Sequence, residues 1–186
     1  MKHSIKAIAT AISLAAATTA SYTNAGSLQF YGKVGASSCE TSVNGNQNSS
    51  IYLDDIITTD IGTANTPYGY TAFTINVKDC TAPTVSAVNL NVQFQSDGTV
   101  LTSGALKNSS LSGSASNVDL ALFNDRDTTV INVNQSGGFS SNAAAIELAV
   151  NATSASRTYY VAYYASVTPA TAGDVYATAN YVVRYP

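Results

Sequence analysis

The chain has 186 residues, with eight basic side chains against eleven acidic ones and only 10% of its residues charged. An acidic balance of this kind excludes a nucleic-acid binder, which needs clustered Lys and Arg to neutralise phosphates. The single histidine, His3, lies in a leader expected to be removed, so the mature chain lacks the commonest general base, every Ser-His-Asp or Cys-His arrangement and the commonest zinc ligand.

The leader comes first. Lys2 and Lys6 give a basic start, Ala7 to Ala17 is an apolar run containing Ile8, Ile12 and Leu14, and small residues follow, the pattern of a secretory signal peptide. The run is shorter than the roughly 20 residues of a membrane span. Two cleavage positions satisfy the small-x-small rule: after Ala20, with Thr18 three residues before the cut, and after Ala25, with Thr23 there. Ala20 is favoured because it leaves a longer free segment ahead of the first strand, which assigns residues 1–20 to the signal peptide. About 166 residues then remain with a net charge of about −5, enough for one domain that buries roughly 68–70% of its unfolded surface. Abundant Ser, Thr, Asn and Gly predict a polar but weakly charged surface, suited to secreted and packed assemblies.

Residues 21–27 read as a flexible arm. Leu28, Phe30, Gly32 and Val34 alternate with Gln29, Tyr31 and Lys33 and predict an extended segment displaced ahead of the first cysteine. Cys39 and Cys80 have neither C-x-x-C nor metal-ligand spacing, and in an exported chain they predict one disulfide that clamps the first strand to a later one. Phe73, Ile75 and Val77 alternate with Thr74, Asn76 and Lys78, and Val88, Leu90, Val92 and Phe94 with Asn89, Asn91 and Gln93, which predicts two half-buried strands. The series continues through Val118, Leu120 and Leu122, then from Val130 and Ile131 onward, then Ile146, Leu148 and Val150, punctuated by turns at Asp97-Gly98 and Ser136-Gly137-Gly138. Residues 143–145 have the composition of one helical turn, but the alternation from Ile146 favours a strand there. A tyrosine-rich strand is expected over 156–167, with Tyr159, Val161, Tyr163 and Ala165 on one face. Pro169 to Gly173 turns the chain into a final row of Val175, Ala177, Ala179, Tyr181, Val183 and Tyr185.

Many short strands at this spacing, with no internal repeat and no linker, predict a single all-β domain: an antiparallel, immunoglobulin-like Greek-key β-sandwich. The final row is expected to lie at a sheet edge with no later strand of its own to cover it. An unpaired edge invites a strand from another chain, and the alternating segment at 28–34 has the right period to be that strand. The pair of features predicts a protein that polymerises.

Other signals are read as structural. Asp54-Asp55 and Asp125-Arg126-Asp127 lack the spaced oxygen ligands of a calcium loop and are expected to be solvated turns, so no metal and no cofactor is assigned. Twelve tyrosines invite a sugar-stacking reading, but the strand period divides them between core and surface. Asn48-Ser49-Ser50, Asn108-Ser109-Ser110 and Asn151-Ala152-Thr153 match the glycosylation triplet, which arises by chance in so polar a chain.

The Leu28-x-Phe30-x-Gly32-x-Val34 segment followed by Cys39, the Phe73-x-Ile75-x-Val77-x-Asp79-Cys80 strand, Ser116-Asn117-Val118 and the tail from Ala165 to Tyr185 together resemble the structural subunits of chaperone-usher pili. The likeness is to the type 1-like fimbrial major pilins and runs over essentially the whole mature chain. It implies an incomplete immunoglobulin-like sandwich that lacks its last strand and is completed in trans. By that resemblance, residues 21–36 are the N-terminal extension that donates Leu28, Phe30, Gly32 and Val34 to a neighbour. Residues 37–186 are the pilin domain, and Val175, Ala177, Ala179, Tyr181, Val183 and Tyr185 form the acceptor groove and chaperone contact, opposite the first strand around Cys39. Gly32 is expected at a narrow point where no side chain fits. The implied partners are neighbouring subunits of a homopolymer, a periplasmic chaperone and an outer-membrane usher. The implied location is a fimbrium on the bacterial surface, reached by export through the periplasm, and the implied role is structural support of adhesion without catalysis. The alternatives are a minor adaptor or tip pilin, or a small secreted lectin-like binding domain.

Overall fold

The computed structural model describes residues 39–96, 99–110, 112–133 and 142–186. The expected leader, the extension with Leu28, Phe30, Gly32 and Val34, and the turns at 97–98 and 136–138 lie outside the described residues.

Seven strands follow one another: β1 (Glu40–Val43), β2 (Pro67–Lys78), β3 (Val88–Gln95), β4 (Asp119–Phe123), β5 (Ile146–Leu148), β6 (Ala155–Tyr164) and β7 (Asn180–Arg184). One sheet has the order β1-β2-β6-β4 and the other β5-β3-β7, with every strand pair antiparallel. After β2 the chain changes sheet at each successive strand, which is the connectivity of a Greek-key sandwich. Among the described residues there is no α-helix, only a single 3-10 turn at Thr58–Asp60.

The alternation read in the sequence is the alternation that is buried. Ile75, Val77, Leu90, Val92, Ile146 and Leu148 are at most 2% exposed, and full burial of such a side chain contributes roughly 1.5–3 kcal/mol. An aromatic trio staples the two layers. Phe73 of β2 stacks on Tyr159 of β6 at 5.9 Å, and Phe94 of β3 meets both edge-on at 6.2 and 5.4 Å, the offset and T-shaped geometries that aromatic quadrupoles favour. Tyr159 is fully buried and its hydroxyl donates to the Ala144 carbonyl at 2.5 Å, so the one polar atom it carries inward is satisfied.

The expected disulfide is present. Cys39 and Cys80 form a disulfide across a separation of 41 residues, joining the residue before β1 to a residue just beyond β2. Between Tyr68 and Thr71 the β2–β6 register shifts by a bulge. Gly69 sits there at φ +63, where a Cβ would lie 3.2 Å from Ile56 Cγ2 and 3.3 Å from the Tyr163 ring; only glycine takes that conformation without strain.

Three local outcomes differ from the sequence reading. All of β4 is buried on both faces, because a second apolar cluster lies behind its sheet, where Phe123, Ala121, Ala162 and Tyr164 are covered by Leu101, Ala105 and Val130. Residues 130–133 make no strand; Val130 forms an isolated bridge to Phe123 and the Ile131 amide donates to the Leu122 carbonyl. The final strand spans only Asn180–Arg184, since the backbone of 174–176 is bonded to a different partner, described below.

Candidate functional site

β1 is an edge strand of one sheet, and β7, which pairs with β3 alone among the described residues, is an edge strand of the other. At one end the two edges meet: the Tyr181 hydroxyl donates to Thr41 Oγ1 at 3.4 Å. The chain after β1 runs through residues 49–58, the chain before β7 through 171–179, and between these two walls lies a groove of about 1090 Å³.

Its floor is the sandwich core itself, with Phe73, Phe94, Leu106, Leu120, Leu122 and Val161. Ile51, Leu53 and Ile56 stand on one wall, and Val175, Ala177, Ala179 and Tyr181 on the other. Tyr52, Ile57 and Tyr176, which are 86%, 66% and 57% exposed, rim it. Large apolar side chains left in water at the mouth of an apolar cleft mark a surface built to be covered.

Each wall is held by polar bonds. On the first, the Tyr163 hydroxyl donates to the Asp54 carbonyl at 3.2 Å; burial, with the charges of Asp55 and Asp54 adding to it, raises the Tyr163 pKa and keeps that donor protonated. On the second, Gly173 passes so close to residues 113–115 that a Cβ would fall 2.3 Å from the Gly113 carbonyl oxygen. The Asp174 amide donates to Gly113 O at 2.8 Å, Ala115 N to Asp174 O at 3.0 Å, and Ser109 N to Tyr176 O at 2.8 Å.

Of the residues singled out in the final row, Val175, Ala177, Ala179 and Tyr181 line the groove. Val183 and Tyr185 pack on the main core, and the Tyr185 hydroxyl donates to the Thr81 carbonyl at 2.8 Å. The opposite wall, 49–58, and the β4 floor were not singled out; the apolar Ile51, Leu53 and Ile56 are the only signal for that wall. Asp55 lines that wall and the Asp54 carbonyl accepts from Tyr163; no group of three His, Cys, Asp or Glu side chains fit to hold a metal occurs among the described residues. An apolar floor between walls that carry Ile51, Leu53, Ile56, Val175 and Ala177 beside the polar Asp55, Thr171, Asp174 and Thr178 can bind an extended segment with apolar side chains.

The fold and groove define an immunoglobulin-like sandwich with a strand-shaped cleft between its edges. The profile of the family described as fimbrial protein matches residues 28–186, and the chain belongs to that family. It is 32% identical over 173 residues to the F17 fimbrial protein of Escherichia coli, covering 92% of this chain and 93% of that protein. It is 30% identical over 174 residues to the major fimbrial subunit SMF-1 of Stenotrophomonas maltophilia, covering 92% of this chain and 99% of that one. Among solved structures, an antigen and type I fimbria protein of Burkholderia pseudomallei shares the fold, with a TM-score of 0.51 at 20% identity over 81% of this chain and all of that one. This is a structural family, not a family of enzymes; the chain is a structural subunit of a cell-surface fimbrium and its partners are other pilin subunits.

Proposed function

We propose that the subunit polymerises by donor-strand exchange, with residues 21–36 of one subunit lying in the groove of the next. The observation that carries this reading is the apolar groove between residues 49–58 and 171–179. Donor-strand complementation of pilins is an established form of strand addition, in which main-chain bonds supply affinity and pockets for alternate side chains supply specificity. In this reading Leu28, Phe30, Gly32 and Val34 face the floor, and Val175, Ala177, Ala179, Tyr181, Val183 and Tyr185 belong to the acceptor edge. Residues 1–20 direct export to the periplasm, where a chaperone covers the groove until an outer-membrane usher passes the subunit on. The description of one relative as a major fimbrial subunit supports the rod over an adaptor or tip role.

The test is Phe30→Asp or Leu28→Asp in the mature chain. An unpaired charge carried into an apolar cleft is strongly unfavourable, so the variant should fold and reach the periplasm yet fail to join the subunit ahead of it. A synthetic peptide of residues 21–36 should bind the Phe30→Asp chain and raise its Tm. A variant that does not fold even with periplasmic chaperones present, or a peptide without effect, would sink the reading.

A further inference from the structure

Among the described residues the groove wall at 174–176 is held by an isolated parallel bridge between Ser114 and Asp174, by backbone bonds to residues 109–115 and by one side chain, that of Asn108. Asn108 Nδ2 lies within hydrogen-bond distance of Asp174 O at 3.0 Å, Ala115 O at 3.1 Å and Ser114 Oγ at 2.9 Å, three acceptors that share its two N–H groups. Its Oδ1 accepts from Tyr176 N and from Ser110 N, both at 3.0 Å. Its own backbone amide donates to Asp119 Oδ1 at 3.0 Å, which ties it to β4 and hence to the core. Every partner of Oδ1 is a donor and the backbone partners of Nδ2 are acceptors, so the amide orientation is set by chemistry.

The bonds fall on alternate residues. Asp174 N and O and Tyr176 N and O are all committed to the segment 108–115. In an extended chain the N–H and C=O of residue i point the same way as those of i+2 and opposite to those of i+1. With the even-numbered groups turned away from the groove, those of Val175 and Ala177 are turned toward it, while their side chains pack on the core. The geometry points to Asn108 as a positioning residue for polymerisation: by holding Asp174 O and Tyr176 N, while Gly113 O and Ser109 N hold Asp174 N and Tyr176 O, it helps to present the odd-numbered groups to an incoming strand and to set that strand's register. This rests on the donor-strand reading of the groove and adds to it a residue outside the groove that controls it.

Asn108→Asp is the sharpest variant, since it keeps the shape and the acceptor but loses both N–H donors and sets a carboxylate oxygen against two carbonyls. In the mature Phe30→Asp chain, whose own arm is disabled, the peptide of residues 21–36 should bind the Asn108→Asp form at least about tenfold more weakly than the parent. Amide exchange supplies a readout that general loss of stability does not move: in the parent, Tyr176 N–H should be protected before peptide is added, and Val175 or Ala177 N–H only afterwards. If the peptide binds the parent and Asn108→Asp alike, or if Tyr176 exchanges freely in the unbound parent, Asn108 has no positioning role although the donor-strand reading stands. If the peptide fails to bind the parent, both fall. Should Asn108→Asp not fold, the exchange pattern of the parent decides.

Discussion

Tyr181 and Thr41 face each other across the gap between the two sheets, one from the edge strand β7 and the other from the edge strand β1, with Tyr181 Oη donating to Thr41 Oγ1 at 3.4 Å. This contact lies two residues from Cys39, whose disulfide to Cys80 anchors β1 to the end of β2. The disulfide fixes β1 within its own sheet, the Tyr181–Thr41 contact joins the two edges, and Val43, the last residue of β1, lines the groove.

Loss of the bridge should cost the whole subunit, not one strand. Closing a loop across 41 residues stabilises the fold by about 4 kcal/mol in the chain-entropy account. Cys39→Ser and Cys80→Ser should therefore lower the stability seen in urea unfolding by similar, not additive, amounts. Free thiols in the unreduced protein would contradict the bridge.

Tyr159→Phe removes the hydroxyl that reaches Ala144 O and leaves a part-buried carbonyl without that donor. The expected loss is about 0.5–1.5 kcal/mol, with the aromatic trio intact. Near-ultraviolet circular dichroism should keep its shape while the denaturation midpoint falls.

Gly104→Ala tests the loop over the second cluster. Gly104 has φ +88 and a Cβ there would lie 2.6 Å from Asn132 Cα, a clash with backbone that no rotamer relieves. A loss of about 1–3 kcal/mol or more is expected from the conformation alone, read as a drop in Tm; an unchanged Tm would mean that the loop can move aside.

Asp119 gives a pH signature. It is 7% exposed, and burial raises its pKa, with the Asn108 amide and the Lys107 charge opposing the rise. Because the folded carboxyl binds its proton more tightly than the unfolded one, its contribution is complete below the unfolded pKa and is lost as pH rises through the folded value. Wild type should thus gain stability relative to Asp119→Asn as pH falls from neutral through the carboxylate range. Thermal unfolding of both across that range measures the difference, and parallel curves would refute the assignment.

The alternation of Phe73, Ile75 and Val77 and of Leu90, Val92 and Phe94 was legible because a strand's side chains have a period of two whatever the strand packs against. The pairing of Cys39 with Cys80 was legible because a chain with two cysteines, spaced for neither a metal nor a C-x-x-C motif, has one pairing to make. In the tyrosine-rich segment the reading of one buried face succeeded for Tyr159 and Val161 but missed Ala162 and Tyr164, which are buried against the second cluster. Nothing in a period of two announces a second layer behind a sheet.

The residues by themselves determined the extended segments of β2, β3, β5 and β6, the apolar faces of β2 and β3 and that the domain is a two-layer sandwich, since these follow from local periodicity and the need to bury it. Only the tertiary structure decided where the groove lies and what holds its walls. The segment 49–58 has no sustained period, the row from Val175 to Tyr185 looks like one strand although only Asn180–Arg184 pairs as one, and Asn108 reads in sequence as part of a glycosylation triplet. Its side chain bonds residues 66 and 68 positions away, and a contact of that kind depends on how distant backbones are brought together, which no local pattern encodes.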